Sequence, residues 1–474
     1  MSPFDLVELS RGGPVHFMGI SGAGMTPLAD MLLRAGVRVT GCDAHPGPGV
    51  HALEALGAQV TEGHDPSHLE GCAALVATAA VPADHPEIVA ARQRGIPVLK
   101  RAEALGAIVN HAKVVGIAGT HGKTTTTTLT TAVLAAAGMD PTGFVGARVP
   151  AWNGNLRPGG RDLYVVEADE YDRSFHQLRP TIAVVTTLEA DHLDIYGSLE
   201  AIEEAFATFV GTVPADGMIA CCADDAGAAK LLASVGGNPA ARMSYGTSET
   251  ADLRAVDIDL VGGSSSFDVV EKGKTLGRAK LHAPGLHNVR NALAAVAVAR
   301  HLGAEWDAVA AGLLSYGGVD RRFEQVGEAA GVLLVDDYAH HPTEISATLN
   351  AARAAHADRR LVAVFQPHLY SRTRDFAAQF GEALALADVV FVTDIYAARE
   401  QPIPGIKGEM IASAARDAGA DVRYVAERAD VPARVGEALE PGDLCITLGA
   451  GNLDSAAREL LVSLRSRERA GALG

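Results

Sequence analysis

Residues 114–125 read Val114-Val115-Gly116-Ile117-Ala118-Gly119-Thr120-His121-Gly122-Lys123-Thr124-Thr125. An apolar, β-branched run stops at a glycine, and Gly-Lys-Thr then opens a Thr- and Ala-rich helical stretch. A strand that empties into such a loop at a helix start presents backbone N–H groups to phosphate. Lys123 neutralises terminal phosphates, and the Thr124 hydroxyl can ligate Mg²⁺. The match to G-x-x-x-x-G-K-[ST] is incomplete, because Ile117 stands where the first glycine belongs, between Gly116 and Gly119. The shorter G-x-x-G-K-T core is intact. Gly119, Thr120, His121, Gly122, Lys123, Thr124 and Thr125 are therefore read as a phosphate loop.

The same layout recurs outward in both directions. Val15–Ile20, Val37–Thr40, Leu75–Thr78, Leu163–Val166, Ile182–Thr186, Val332–Val335, Leu361–Phe365, Val389–Thr393 and Cys445–Leu448 are strand-like runs separated by Ala/Leu-rich helical patterns. Continuous apolar strands alternating with helices predict parallel sheets buried on both faces, hence an α/β fold. Most of these runs end in polar clusters: EADEYD, TLEADH, DDYAHHP, QPHLYSRTR, DIYAARE and GAGN. Ligands of open α/β sheets bind at the carboxyl ends of strands, so this repetition points to function. The region around Ala223–Lys280 alternates more like antiparallel strands and reads as a smaller part of the middle domain.

The 474 residues suggest two to four domains. Breaks near 106–113 and 316–322 divide them into residues 1–110, 111–318 and 319–474. Lys+Arg of 40 against Asp+Glu of 57 gives −17, with no basic run, which argues against a nucleic-acid partner. Five cysteines show no metal spacing and suggest a reduced compartment. The opening MSPFDLVELSRGG lacks a leader-like layout, and no apolar run approaches the ~18 residues of a membrane helix. A cytoplasmic protein with no membrane partner is expected.

A nucleoside triphosphate needs a divalent cation, and Mg²⁺ prefers oxygen ligands. Glu167 at a strand end suits one site together with Thr124. His192 fits either a metal ligand or a structural hydrogen bond. Asp169, Glu170, Asp191 and Asp194 are either supporting or simply solvated. At the N-terminus, Gly19-Ile20-Ser21-Gly22-Ala23-Gly24 joins a strand to a helix, and Asp43 ends the next strand. The order G-x-x-G-x-G is a weak sign of a dinucleotide and a better one of a diphosphate on a helix N-terminus.

Taken together, GTHGKTTT, EADEYD, DHLD, HNxxNALAA, RRFE, DDYAHHPTE and QPHLYSRTR resemble the Mur ligases, from about Val15 to Leu461. The forms GISGAGM, DDYAHHP and QPHxYxRTR are most similar to the alanine-adding branch. The resemblance implies three domains: a Rossmann-like domain for a UDP-sugar, a central P-loop ATPase domain, and a C-terminal Rossmann-like domain for an amino acid. It implies ATP-dependent ligation of L-alanine to UDP-N-acetylmuramate through an acyl phosphate, by a monomer or weak homodimer. On that basis Lys123, Glu167, His192 and Arg322 are catalytic, and Thr124, Glu167 and His192 hold the metal. Asn288, Asn291, Arg322 and Asp337 serve ATP. Gly22, Gly24 and Asp43 serve the UDP-sugar, with His16, His64 and Thr78 as weaker candidates. Tyr338, His368 and Arg372 serve the amino acid. Three departures stand out: Leu369 replaces an expected arginine, Gly146-Ala147 replaces Gly-Gly, and 193–217 lacks lysine, as the alanine-adding branch should. A branch that adds a whole tripeptide shares these motifs but carries an insertion after its EADEYD equivalent that is absent here.

Overall fold

A computed structural model of the chain describes residues 5–471 apart from 48, 79, 80 and 399. Residues 1–4 of the opening stretch and Arg399 of the DIYAARE cluster thus lie outside the described residues. The chain divides into two compact units. The first runs to Arg254 and takes in Glu271–Gly273 and Leu293–Gly312; the second comprises Ala255–Val270, Lys274–Ala292 and Leu313–Gly474.

The first unit carries two sheets. One is all-parallel, in the order Gln59–Glu62, Val39–Asp43, Val15–Met18, Ala74–Ala77, Val98–Lys100. Chain order reverses on either side of Val15–Met18, which creates the crevice where α/β sheets bind ligands. Gly19 ends that strand with φ +78. A Cβ there would lie 2.7 Å from the Thr78 methyl at the end of the neighbouring strand, so only glycine fits the turn. The other sheet places Lys113–Ala118 between Ile182–Val185 and Leu163–Glu167, both parallel to it. Met218–Cys222 and Ala241–Gly246 extend it on one side, Thr142–Val149 and the antiparallel Gly154–Arg157 on the other.

The region 223–280 differs from its expectation. It contains the helix Ala226–Ser234 and the parallel strand Ala241–Gly246 before any hairpin begins. The Ala/Leu period of AGAAKLLAS, capped by Asp225 accepting from Ala228 N, drives that helix. Hairpins are confined to Leu253–Val261, Ser264–Glu271 and Lys274–Leu281. Their two-residue turns, Gly262-Gly263 and Lys272-Gly273, have positive φ throughout, as tight hairpins require.

The six strands of the second unit run Glu324–Ala329, Val332–Asp337, Asp443–Leu448, Arg360–Phe365, Val389–Val392, Val422–Tyr424. The first pair is antiparallel and the rest are parallel. Alternate residues face opposite sides, and both sides are covered. Leu333, Val335, Ala363, Phe365 and Ile446 pack with Ile345, Leu349 and Phe380. Val332, Leu334, Val362, Val364 and Cys445 pack with Val431, Val435 and Leu460. Double burial explains why these strands read as unbroken apolar runs. Among the described residues no helix is long and apolar enough to cross a membrane, and all five cysteines are free thiols.

Helix Tyr370–Leu384 packs tightly on Glu409–Asp417 because position 381 has no side chain. A Cβ on Gly381 would come within 2.7 Å of Ala414 Cβ and O. Gly381→Ala should force the two helices apart and cost about 1–3 kcal/mol. The urea midpoint should fall with little change in slope; an unchanged midpoint would show that the helices yield freely.

Candidate functional site

The loop after Lys113–Ala118 is built from two special backbone positions. Gly119 has φ +139, and a Cβ there would collide with Thr186 Oγ1 and Thr187 N. Gly122, with φ +78, is the N-cap of helix Lys123–Ala136, and no side chain caps that helix. Its first-turn N–H groups are therefore presented to an anion. Thr120 N donates to Thr187 O (2.9 Å) and His121 N to Thr187 Oγ1 (2.8 Å), pinning the loop to the strand beside it. The His121 ring contacts Glu189 Oε1. After Lys123 the helix carries five consecutive threonines, all buried, and two of them bond backward. Thr127 and Thr128 donate to Lys123 O (2.8 Å) and Thr124 O (2.9 Å).

Lys123 turns back over its own loop. Its Nζ donates to Gly119 O (2.6 Å), Thr120 O (3.2 Å) and Glu170, whose nearer oxygen is 2.7 Å away. Burial works against the ammonium, but Glu170, Asp169 and Glu167 outweigh it and hold the lysine charged. Burial pushes Glu170 up to about 7 against the pull of Lys123. Tyr196 OH donates to Glu170 O (2.5 Å), fixing that residue's backbone. The His192 ring lies 3.6 Å from Glu170 Oε1 and 3.7 Å from Asp191, edge-on to Tyr171.

Thr124 and Glu167 meet directly: the hydroxyl donates to Glu167 Oε1 at 2.9 Å. Gly146 N donates to the other oxygen at 2.7 Å, so the first residue of Gly146-Ala147 supplies the backbone contact here. A hydroxyl and a carboxylate so placed are hard oxygen donors that fit Mg²⁺. Of the three expected metal residues, Thr124 and Glu167 are thus in contact, and His192 sits against Glu170 and Asp191. The sequence reading left Glu170 undecided between support and solvation; it is buried against Lys123. Asp194 is exposed.

At the N-terminal glycine turn, Asp43 accepts from Ser21 N (3.0 Å) and His45 N (3.0 Å), tying Gly19–Gly24 to the next strand end. Gly24 leaves room for Arg101, whose Cδ would lie 2.6 Å from a Cβ there. Arg101 in turn reaches Asp169 at 3.7 Å.

The second unit gathers a separate group. Arg321 and Phe323 both have left-handed φ (59 and 50), so Arg322 projects from a strained turn. Three bonds hold it: Arg321 N to Glu324 Oε2 (2.9 Å), Tyr338 N to Arg321 O (2.7 Å), and Phe323 N to Asp337 Oδ2 (2.7 Å). Arg322 lies over the Tyr338 ring and 3.7 Å from Glu344. Arg321, the other arginine of the pair, bridges Asp336 and the carbonyls of Gly449 and Gly451. His287, half-buried near Arg290 and Arg322, is pushed down to about 4, chiefly by desolvation. One turn on, Asn291 donates to Asn288 Oδ1 (3.3 Å), and Asn288 to Pro284 O (2.8 Å). Tyr338, His340, His368 and Tyr396 form a run of ring contacts at 5.1, 5.9 and 6.0 Å. His340 and Tyr396 were not anticipated. Arg372 is buried in helix Tyr370–Leu384, whose N-cap is Leu369 at φ +70.

Three family models match consecutive stretches: a Mur ligase family catalytic domain over residues 14–113, a Mur ligase middle domain over 117–299, and a Mur ligase glutamate ligase domain over 321–451. The chain belongs to the Mur ligase family. Relatives named UDP-N-acetylmuramate–L-alanine ligase include one from Salinibacter ruber, 44% identical over 97% of this chain and 96% of its own. Another, from Acidothermus cellulolyticus, is 45% identical over 95% and 94%. Among solved structures, the UDP-N-acetylmuramate-alanine ligase of Thermotoga maritima superposes with TM-score 0.77 at 27% identity, covering 96% of this chain and 99% of that one. A murein peptide ligase from Psychrobacter arcticus gives 0.66 at 27%, covering 95% and 98%. The three sheet-bearing regions thus correspond to the N-terminal, central and C-terminal domains of a Mur ligase.

Asp337 offers a test of the second group. Burial raises its carboxyl to about 6, with Arg322 opposing. The folded chain therefore holds this proton more tightly than the unfolded chain, whose value is about 4. Its contribution to stability is full below about 4 and is lost as pH rises through about 6. In Asp337→Asn that slope disappears. The wild-type-minus-variant unfolding free energy should decline across this window and level off above it. A constant difference, measured by denaturant titration, would show that Asp337 is ionised throughout.

Proposed function

We propose that this Mur ligase joins L-alanine to the lactyl carboxylate of UDP-N-acetylmuramate, converting ATP to ADP and phosphate, in peptidoglycan precursor synthesis. What carries the reading is the Lys123–Thr124–Glu167 arrangement at an uncapped helix start. It occurs in a chain whose relatives of that name align over nearly its full length. The nucleotide substrates assign the protein to the cytoplasm.

The chemistry proceeds in two displacements. A carboxylate oxygen attacks the γ-phosphorus and ADP leaves, giving an acyl phosphate. The alanine nitrogen attacks the carbonyl carbon, the bond to the phosphate oxygen breaks, and the nitrogen loses a proton. Bringing one anion to another demands charge neutralisation and positioning more than a nucleophilic side chain. Lys123 supplies a positive charge that Glu170 balances before phosphate arrives. The first-turn N–H groups orient the phosphates, and Gly119 and Gly122 let the backbone approach them. Thr124 and Glu167 are the residues that would hold Mg²⁺, with His192 and Glu170 beside them. When bound, the cation screens the phosphates from the incoming carboxylate. Arg322 and Asp337 are assigned to the ATP phosphates and ribose, Asn288 and Asn291 to the adenine or phosphates. Tyr338, His368 and Arg372 are assigned to L-alanine, where a guanidinium can hold the carboxylate bidentately. Gly22, Gly24 and Asp43 are assigned to the UDP-sugar.

ADP release should require UDP-N-acetylmuramate and L-alanine together. A large preference for a tripeptide over L-alanine would move the protein to the tripeptide-adding branch, and no stimulation by either would defeat the ligase reading. Lys123→Ala should lower turnover at least about 10²-fold with an unchanged circular dichroism spectrum.

A further inference from the structure

Beneath the N-terminal glycine turn lies a largely buried group of four side chains, to which the proposed function gives no role; the resemblance names only His16 among them, as a weaker UDP-sugar candidate. His16 lies on Val15–Met18, Cys42 on Val39–Asp43, His68 on the short 3₁₀ turn Pro66–Leu69, and Glu87 on helix Pro86–Gln93. Cys42 and Glu87 are fully buried, and His16 is 1% exposed. One ligand atom from each of the four lies within 4.8 Å of all the others. His16 Nε2 is 3.4 Å from Cys42 Sγ and 3.3 Å from Glu87 Oε1. Cys42 Sγ is 3.5 Å from Glu87 Oε1, and His68 Nδ1 is 3.4 Å from the same oxygen. Ligands on a tetrahedron with bonds of about 2.0–2.3 Å stand about 3.3–3.8 Å apart, and these separations fall in that range.

The surroundings fit the same geometry. His16 Nδ1 bonds Thr40 Oγ1 at 2.8 Å, an outer contact that fixes the ring and turns Nε2 toward the group. His64 Nδ1 stands 3.0 Å from Cys42 Sγ and 3.6 Å from Glu87 Oε2, placed to support both. His68 Nδ1 is buried and makes no hydrogen bond, although it points at the carboxylate. An open cleft of about 430 Å³, lined by His16, Thr40, Arg38 and His68 among others, gives a path from solvent.

We propose that His16, Cys42, His68 and Glu87 form a structural zinc site within the N-terminal domain, distinct from the magnesium position at Thr124 and Glu167. A thiolate and two imidazoles exclude Mg²⁺ and select a borderline-soft ion. Four protein ligands leave no open position, which marks a structural rather than a catalytic site. On binding, the Cys42 thiol proton leaves to solvent. Thiolate and carboxylate then balance the two positive charges, so the buried site is neutral. The ion joins four separate elements of the N-terminal domain. It also braces the strand whose Cys42 carbonyl accepts from Gly19 N (2.8 Å) and Ile20 N (3.2 Å), and so supports the glycine turn.

The test uses the full-length protein, stripped by chelator and titrated with Co²⁺ in saturating Mg²⁺. One cobalt per chain should bind with intense tetrahedral d–d absorption and a thiolate-to-cobalt charge-transfer band. Zinc should then displace it and raise Tm. Cys42→Ser should abolish the charge-transfer band, whereas Cys72→Ser and Glu167→Gln should keep it. If Cys42→Ser fails to fold by circular dichroism, His68→Asn on the partly exposed turn decides, with cobalt affinity lowered at least about tenfold. A wild-type protein without the band, or a band that survives in Cys42→Ser, or unchanged affinity in His68→Asn, would reduce the group to a metal-free hydrogen-bonded cluster.

Discussion

A desolvated ammonium organises the first unit. The Lys123 side chain is only 14% exposed, and a charge so placed persists only with partners at hydrogen-bond distance. Two loop carbonyls and Glu170 supply them. That need fixes much else. Strand Leu163–Glu167 must lie in register with Lys113–Ala118, and the pairing Ile117↔Glu167 is what brings Glu167 to Thr124 and Glu170 to Lys123. On the other side, the pairing Ala118↔Val185 brings Thr186 and Thr187 under the loop, where a Cβ on Gly119 would not fit. A one-residue slip would turn each of these side chains to the wrong face.

The second unit solves a related problem differently. Here strain does the aiming: two left-handed residues flank Arg322, each disfavoured by roughly 1–3 kcal/mol. Such a turn persists because Asp337, Glu324 and Tyr338 over-determine it. Asp337 is then committed to two backbone N–H groups, Phe323 and Ala339. Those bonds favour the carboxylate while burial disfavours it, and burial wins. Arg321 is the structural partner of the pair, since its guanidinium ties Asp336 to the GAGN turn.

Periodicity and strand-end chemistry placed most of the parallel strands that are apolar throughout, because such strands are buried on both faces and their sequences say so; Met218–Cys222, equally buried, went unread because its run ends in no motif-like polar cluster. Among the other strands that went unread, Gln59–Glu62, Val422–Tyr424 and Glu324–Ala329 lie at sheet edges with exposed or half-buried residues and carry no such signal. The phosphate loop was legible because Gly-Lys-Thr demands one backbone geometry. Glu170 was not, since burial depends on Tyr196 and Lys123 closing over it from elsewhere in the chain. The His16, Cys42, His68 and Glu87 group was invisible for the same reason: no two of its members have a metal-binding spacing. Tyr396 joins the His368 ring through the parallel bridge His368↔Tyr396, and His340 by its own edge contact, both between segments distant in sequence.

A net charge of −17 runs against holding phosphates and carboxylates, and magnitudes resolve the conflict. A surface charge about 20 Å away in water interacts by roughly 0.2 kcal/mol before salt screening and roughly 0.02 after it. Summed over the whole surplus, that repulsion is roughly 0.3 kcal/mol. One cation about 4 Å from its ligand, in a medium of effective dielectric about 20, is worth about 4 kcal/mol. Charges placed at the site therefore outweigh the entire acidic surface, and the uncapped helix start adds to the cationic side. The surplus is free to serve solubility, and the binding preference is set by where Lys123 is held.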